Sequence, residues 1–329
     1  MTTNATSGDG TPVDPIAGLV KQFITDYQVP RILKGERPAL RAVFQQYHGT
    51  AHGTFSVLPN LAPELRVGVF AHEAFPVWVR FSADPGSNYV NGIGIKLFGV
   101  PGPKLLEPDA PTQDFLMQNA PRFFADDAQS MYDFGENPDT FPKRAEADAI
   151  LAEMNVRRGS VLKIAYWSGL PSRFGAGRYV KYKLVPDGAD EPPAGNTAPD
   201  YLAEDLRSRL RRGEARFTFC AQFQTDPEKM PLDRATVTWD ESASPPVPLA
   251  TLLLPKQDLK ARGSDEYAEN LSFNAWHSLP EHEPAGSIQA ARRVVYAKGA
   301  EARRFANGVP NFEPRAPRPD APPYPTAPE

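Results

Sequence analysis

Short β-rich segments separated by turn residues limit the folds open to this chain more than any other feature. Four of them lie at 53–57, 66–70, 77–82 and 92–98, and others lie at 178–184, 216–224, 236–239 and 249–254. Turn sequences such as Ala83-Asp84-Pro85-Gly86 separate them. We therefore predict an antiparallel sheet, closed into a barrel, with helices at both ends.

Two glycines and two mixed segments refine this expectation. Gly92 and Gly94 lie inside one predicted strand and indicate close backbone approach or a bend of the barrel. Residues 114–124 fit a strand followed by a loop, whereas residues 161–167 fit either a strand or a helix.

Helical patterns flank and interrupt the strands. Asp14-Pro15 is a typical helix start, and apolar residues follow it at helical spacing up to Tyr27. Pro30 and Pro38 are expected to interrupt regular structure after this helix. Further helices are predicted at 145–154 and 201–212. The fold class is thus α+β.

The domain organisation is predicted to be simple, since the sequence shows no internal repeat and no clean linker. We expect an N-terminal arm and helix at 1–35, one domain at 36–308, and a proline-rich tail at 309–329.

Composition excludes several classes of protein. The chain has 329 residues and a net charge of -4, so nothing indicates a nucleic-acid or anionic-membrane partner. It has one cysteine, Cys220, which cannot form an intrachain disulfide and fits a reducing compartment. The first twelve residues lack the pattern of a signal peptide, and no apolar run approaches a membrane span. We expect a cytoplasmic protein.

A C-terminal segment carries one candidate site. On a helix, Arg292 and Tyr296 are four residues apart and share a face. A neighbouring cation favours the charged form of a phenol, and a phenolate is a hard anionic ligand that suits ferric haem iron. Taken alone, the segment is more typical of an ordinary amphipathic helix with a packed tyrosine and solvated arginines.

Other chemistry-bearing residues are dispersed. Arg41, Arg80 and Arg303 lie among apolar residues, and arginines that converge on one pocket suit a dianionic ligand. The alternative for each is a surface ion pair. Apolar walls for such a pocket are available in Phe81, Phe123, Phe124 and Met131. His48 and His52 lack a third ligand at suitable spacing for zinc, and no phosphate-binding loop, dinucleotide fingerprint or nucleophile elbow is present.

Read together, these segments resemble the haem catalase superfamily, and within it the small bacterial catalase-related proteins. Similar motifs, in the same order, are 41–57, 79–82, 91–97, 117–127, 230–239 and 273–303. The match covers about residues 36 to 305.

This resemblance implies a fold, a cofactor and residue roles. The fold would be an eight-stranded antiparallel barrel with surrounding helices, and the cofactor haem b. Tyr296 would be the iron ligand and Arg292 its charge partner, while Arg41, Arg80 and Arg303 would hold the haem propionates. Phe124 and Met131 would belong to the walls of the haem pocket.

Two departures bear on activity. The family's distal histidine is replaced by Phe44, and its distal asparagine falls on Gln118, next to Asn119. Phenylalanine cannot act as a general acid or base, a role worth about 10²–10⁴-fold in rate. His48 or His52 could replace the missing base if the loop is rebuilt.

The resulting hypothesis is a haem oxidoreductase that acts on peroxide or an organic hydroperoxide and is not an efficient catalase. Its partners would be small molecules, and a homo-oligomer is possible. Two alternatives stay open: a non-enzymatic haem-binding protein for storage or sensing, and a barrel without haem.

Overall fold

The strands close into a barrel. The computed structural model describes residues 14–84, 87–189, 191, 195 and 198–318. The strands in this part of the chain are β1 (Gln46–Val57), β2 (Ala74–Asp84), β3 (Ser87–Phe98), β4 (Thr112–Gln118), β5 (Tyr166–Trp167), β6 (Ser172–Arg173), β7 (Tyr179–Pro186), β8 (Ala215–Phe223) and β9 (Val247–Leu254).

Neighbouring strands pair antiparallel in the order β5-β4-β3-β2-β1-β9-β8-β7, and β5 also pairs with β7. These eight strands therefore form a closed ring, while β6 pairs with the start of β7 next to β5. The predicted closed antiparallel barrel, and the eight strands implied by the resemblance, are confirmed.

The barrel interior is filled by large side chains. Phe55, Phe70, Phe115 and Phe219 lie in one buried cluster, and the ring centroids of Phe115 and Phe219 are 4.8 Å apart. Because side chains alternate along a strand, the neighbours of these interior residues point outward. On β2, Phe81 faces the interior and Arg80 lies on the outer face. The barrel is thus a packed core, and its outer face carries the polar groups.

The helices are α1 (Pro15–Val20), α2 (Val29–Leu33), α3 (Ala128–Glu136), α4 (Arg144–Met154), α5 (Tyr201–Arg212), α6 (Ser264–Asn270) and α7 (Ser287–Ala306). Asp14 caps α1 through a 3.0 Å bond from the Ile16 backbone N–H, as expected from the sequence. Helices α1, α3 and α7 share a second apolar cluster that includes Leu19, Tyr132 and Val295. None of the helices within the described residues is long and apolar enough to cross a membrane.

Three local predictions are wrong. Residues 66–70 form no strand: Gly68 has a φ of 53° and begins a 3₁₀ turn, Gly68–Ala71, that directs Phe70 into the core. Residues 236–239 are irregular because β8 already has β7 and β9 on its two edges. Pro30 does not interrupt the first helix, since a π-helical stretch, Lys21–Gln28, leads directly into α2.

Several other predictions agree with the structure, and some concern residues that the structure does not describe. Residues 145–154 and 201–212 are helical as predicted, and 166–167 form a strand. The first thirteen residues, the turn residues 85–86 and the tail after residue 318 lie outside the described residues. The proposed domain boundaries stay predictions.

Candidate functional site

The candidate site lies between the outer face of the barrel and helix α7. One stripe of α7 turns toward strands β2 to β4 and includes Arg292, Tyr296, Gly299 and Arg303. Two cavities separate these surfaces, with volumes of about 90 Å³ and 590 Å³. The residues that line both are Val43, Phe44, Gln118, Arg292, Val295 and Tyr296. The larger volume is within the roughly 300–1,000 Å³ of cofactor and small-molecule sites.

Arginines gather at the smaller cavity, as predicted. Arg41, Arg80 and Arg303 all line it, and all three lie near the carboxylate of Glu269 on α6. Arg41 donates to Glu269 at 2.8 Å, while the nearest nitrogens of Arg80 and Arg303 are 4.0 and 3.9 Å from that carboxylate. One buried carboxylate thus faces three cations, which leaves the cavity with excess positive charge.

Arg80 and Arg303 are incompletely satisfied. They are 4% and 3% exposed, and Nε and Nη2 of each have no hydrogen-bond partner among the described residues. Burial, reinforced by the charge of Arg41, lowers the pKa of Arg80 to about 9 and also lowers the pKa of Arg303. Unpaired buried N–H groups are costly, so these two side chains fit an anionic ligand.

Arg41 differs from the other two. Besides Glu269, its guanidinium donates to the backbone oxygens of Ala268 and Leu271. Arg41 therefore holds the segment that forms one wall of the cavity.

The larger cavity is mainly apolar. Phe123, Phe124 and Met131 line it, as the sequence predicted, together with Leu19 and Phe23 from the first helical segment. Phe81, which was expected to join them, instead lies in the barrel core. The expectation is wrong because Phe81 alternates with Arg80 on β2 and faces inward.

Tyr296 and Arg292 lie where the two cavities meet, since each lines both. The guanidinium carbon of Arg292 is 5.5 Å from the ring centroid of Phe123, a cation–π distance. Their i, i+4 spacing on α7 puts the phenol and the guanidinium on one face of the helix, as predicted.

Phe44 forms the opposite wall and is held tightly. Its φ is 51°, which is unusual for a residue other than glycine. Arg80 Nη1 donates to its carbonyl oxygen at 3.1 Å, and a Cβ placed on Gly92 would be 2.7 Å from its ring. The absence of a side chain at Gly92 therefore gives the Phe44 ring its position. Gly94 makes similar room for Phe273, so both glycines serve close approach.

Gln118 and Asn119 differ in position. Gln118 lines both cavities, and its Nε2 donates to the Arg122 carbonyl at 2.7 Å. Asn119 is not among the described residues that line either cavity. Its amide donates to the carbonyls of Tyr89 and Met154 and accepts from the backbone N–H of Asn91, so all its groups serve the fold.

Neither histidine predicted as a replacement base lines the cavities. His48 is the extra residue in a β-bulge of β1, and burial lowers its pKa to about 4. His52 packs edge-on against Trp78, with ring centroids 5.6 Å apart. Among the described cavity-lining residues, nothing with an imidazole stands beside Phe44.

The counter-ion Glu269 and a second buried network went unpredicted. Lys96 Nζ lies 2.6 Å from Asp114 and 2.5 Å from Glu313, and His277 Nδ1 lies 2.9 Å from Asp114. The two carboxylates and the imidazole are spaced as metal ligands could be, but the ammonium already occupies the cationic position between the carboxylates. No sequence pattern marks these acids, since each is isolated and finds its partner only in the fold.

Comparison with known proteins agrees with the fold. No family model matches the chain. The catalase-related peroxidase of Mycolicibacterium paratuberculosis (strain ATCC BAA-968 / K-10) is 28% identical over 214 residues, covering 57% of this chain and 66% of that protein.

Solved structures of catalases superpose on nearly the whole chain. A fungal catalase superposes on 94% of this chain with a TM-score of 0.64 and 18% sequence identity. A bacterial catalase superposes on 92% of the chain with a TM-score of 0.66 and 15% sequence identity. Catalase A from Saccharomyces cerevisiae superposes on 93% of the chain with a TM-score of 0.64 and 18% sequence identity. The chain spans about two thirds of the length of these relatives, at 66%, 66% and 68% of the three catalases. The chain therefore has the catalase fold, and in sequence it is similar to a catalase-related peroxidase.

Proposed function

We propose that this protein binds haem b between helix α7 and the barrel, and that it is an oxidoreductase acting on an organic hydroperoxide or other peroxide. The observation that carries this proposal is the pair of buried arginines, Arg80 and Arg303, whose Nε and Nη2 atoms have no hydrogen-bond partner among the described residues and lie beside a large apolar cavity. A molecule with an anionic edge and a wide apolar body matches that combination.

Each wall of the site has a place in this proposal. Tyr296 would ligate the iron, with the Arg292 guanidinium on the same helix face as its charge partner. Arg80 and Arg303 would bind the propionates, and Arg41 would position the wall around them. Phe124 and Met131 would contact the apolar part of the ring. When bound, haem iron supplies the redox chemistry that cleaves an O–O bond.

Phe44 and Gln118 would determine which substrates react on the side of the cavity opposite Tyr296. Phe44 excludes water and has no proton to exchange, so it gives no acid–base help to peroxide cleavage. Gln118 is neutral and holds a fixed orientation through its bond to Arg122. A site of this kind favours a substrate with an apolar body. An organic hydroperoxide would be reduced to an alcohol and water while an organic reducing substrate is oxidised.

Haem titration of the purified protein tests the cofactor. We expect the parent protein to give a Soret band with high-spin ferric features. In Tyr296→Phe, we expect this band to shift and the affinity for haem to fall. Tyr179→Phe, in a tyrosine on β7 that does not line either cavity, is the matched control and should bind as the parent does. The absence of any Soret shift in the parent would refute haem binding.

Turnover tests the reaction. With haem bound, we expect reduction of an organic hydroperoxide in the presence of a reducing substrate, and little oxygen release from hydrogen peroxide. Phe44→His should raise oxygen release by about 10²-fold or more, since histidine supplies the missing base and tolerates positive φ better than phenylalanine. Phe44→Leu is the control and should leave oxygen release unchanged.

The second candidate function is haem binding without turnover, for storage or sensing. It is favoured by one observation: among the described residues, neither cavity carries an imidazole on the Phe44 side. Haem-loaded protein that is inert toward hydrogen peroxide and organic hydroperoxides alike would establish it over the first.

A further inference from the structure

A small polar cavity lies apart from the arginine cluster, where β4 and β7 meet the segment before α7. Its volume is about 20 Å³. Its polar lining comes from strand residues Gln113, Asp114, Ser172 and Tyr182, from Gln289 on α7, and from Ser168, Ser278 and His282. A cavity of about 10–15 Å³ suffices to hold one water molecule, so this space has room for one.

Three polar atoms around this cavity lack partners among the described residues. They are Gln113 Nε2, Ser278 Oγ and Gln289 Oε1. Their residues are 0%, 2% and 3% exposed, so bulk water does not reach them. Buried polar groups are nearly always hydrogen-bonded, and three unpaired atoms at one cavity indicate a missing partner.

The phenol of Tyr182 is a fourth group in need of a partner. The backbone N–H of Val69 donates to His282 Nε2 at 3.2 Å, so that nitrogen is unprotonated. Burial lowers the pKa of His282 to about 4, so the ring is neutral and carries one proton. Because Nε2 accepts from Val69, we assign this proton to Nδ1, which lies 3.1 Å from the Tyr182 oxygen and in this tautomer donates to it. The phenolic proton of Tyr182 then remains to be donated elsewhere.

We propose that one ordered water molecule occupies this cavity and completes all four groups. The water accepts from the Tyr182 O–H and from Gln113 Nε2, and it donates to Gln289 Oε1 and Ser278 Oγ. Two donors and two acceptors match the hydrogen-bonding capacity of water.

Other occupants fit less well. A cation would be repelled by the two donors, the Gln113 amide N–H and the Tyr182 O–H. Asp114 also lines the cavity, but its oxygens already accept from Lys96, His277 and the Asn274 backbone, so it does not call for a cation.

The water would act as a joint between the barrel and α7. Gln113 and Tyr182 belong to barrel strands, whereas Gln289 belongs to the helix that carries Tyr296 seven residues later. The water site does not depend on haem binding, so it can be correct or wrong independently of the proposed function.

A crystal structure at about 1.5 Å resolution tests the proposal directly. We expect one density peak within about 2.6–3.2 Å of all four atoms. An empty cavity, or side chains rotated so that the four groups pair with one another, would overturn it.

A double-mutant cycle tests it in solution. Tyr182→Phe and Ser278→Ala each remove a partner of the water, and each should lower Tm by about 2–4 °C. The double variant should lose less than the sum, because the first substitution already releases the water that the second group contacts. Strict additivity would contradict a shared water. If Tyr182→Phe does not fold, Gln113→Met takes its place in the same cycle.

Discussion

Replacing Arg80 by methionine should stabilise the protein in the absence of cofactor. Arg80 is buried and its pKa is lowered from 12.5 to about 9, with burial as the main cause. At about 1.4 kcal/mol for each pKa unit, the charged side chain costs the fold on the order of 5 kcal/mol. Methionine removes this cost and fills a similar volume.

Part of that gain is lost again. The bond from Arg80 Nη1 to the Phe44 carbonyl disappears, and an unpaired buried carbonyl costs about 1–3 kcal/mol. Glu269 keeps Arg41 at 2.8 Å, so no carboxylate is left without a cation. We expect a net gain on the order of 2 kcal/mol, visible as a Tm higher by a few degrees.

Urea denaturation and thermal melting of the cofactor-free protein measure this gain. Arg41→Met is the matched control and should have the opposite sign, because Arg41 is fully engaged with Glu269 and two backbone carbonyls. If Arg80→Met were destabilised as much as Arg41→Met, the N–H groups of Arg80 would have partners in solution. Arg80 would then have no unpaired N–H groups to offer an anion.

Two further predictions concern the surroundings of the site. Gly92→Ala should displace the Phe44 ring, because the added Cβ would lie 2.7 Å from it. We expect the free energy of unfolding, measured by urea denaturation, to fall by about 1–3 kcal/mol. Gly213→Ala is the control and should be close to neutral, since nothing lies within 4 Å of the added Cβ. For His277, burial opposes protonation, but the bond to Asp114 and the carboxylate of Glu107, 3.7 Å from Nε2, prevail and raise its pKa to about 9. Protonation of His277 therefore stabilises the fold by on the order of 3 kcal/mol, fully below pH 6.5 and progressively less as pH rises through 9. His277→Gln should flatten that part of the profile of stability against pH. An unchanged profile would refute the assignment.

Local patterns predicted the barrel well because strand segments carry their own signals. Alternation around Phe81 and turn residues between segments depend only on near neighbours in the chain. The failed strands show the limit of such signals. Residues 236–239 have a suitable composition, but whether a segment joins a sheet depends on a free edge, and β8 has none.

The site was predictable where its groups lie on one element. Arg292 and Tyr296 are four residues apart, so their common face follows from helix geometry. Glu269 was not predictable, because its three arginines come from distant parts of the chain. The place of Asn119 likewise depends on carbonyls of Tyr89 and Met154, which no local pattern connects to it.

Closure of the barrel also has a consequence for how the chain folds. Strand β1 pairs with β9 through contacts such as Thr54 with Leu253, about 200 residues apart. At a synthesis rate of about 5–20 residues per second, the edge of β1 stays open for about 10–40 s after it leaves the ribosome. During that time the nascent chain presents an unpaired strand edge, which is a site for aggregation. Its yield on expression should therefore depend on chaperone supply more than the stability of the finished barrel suggests.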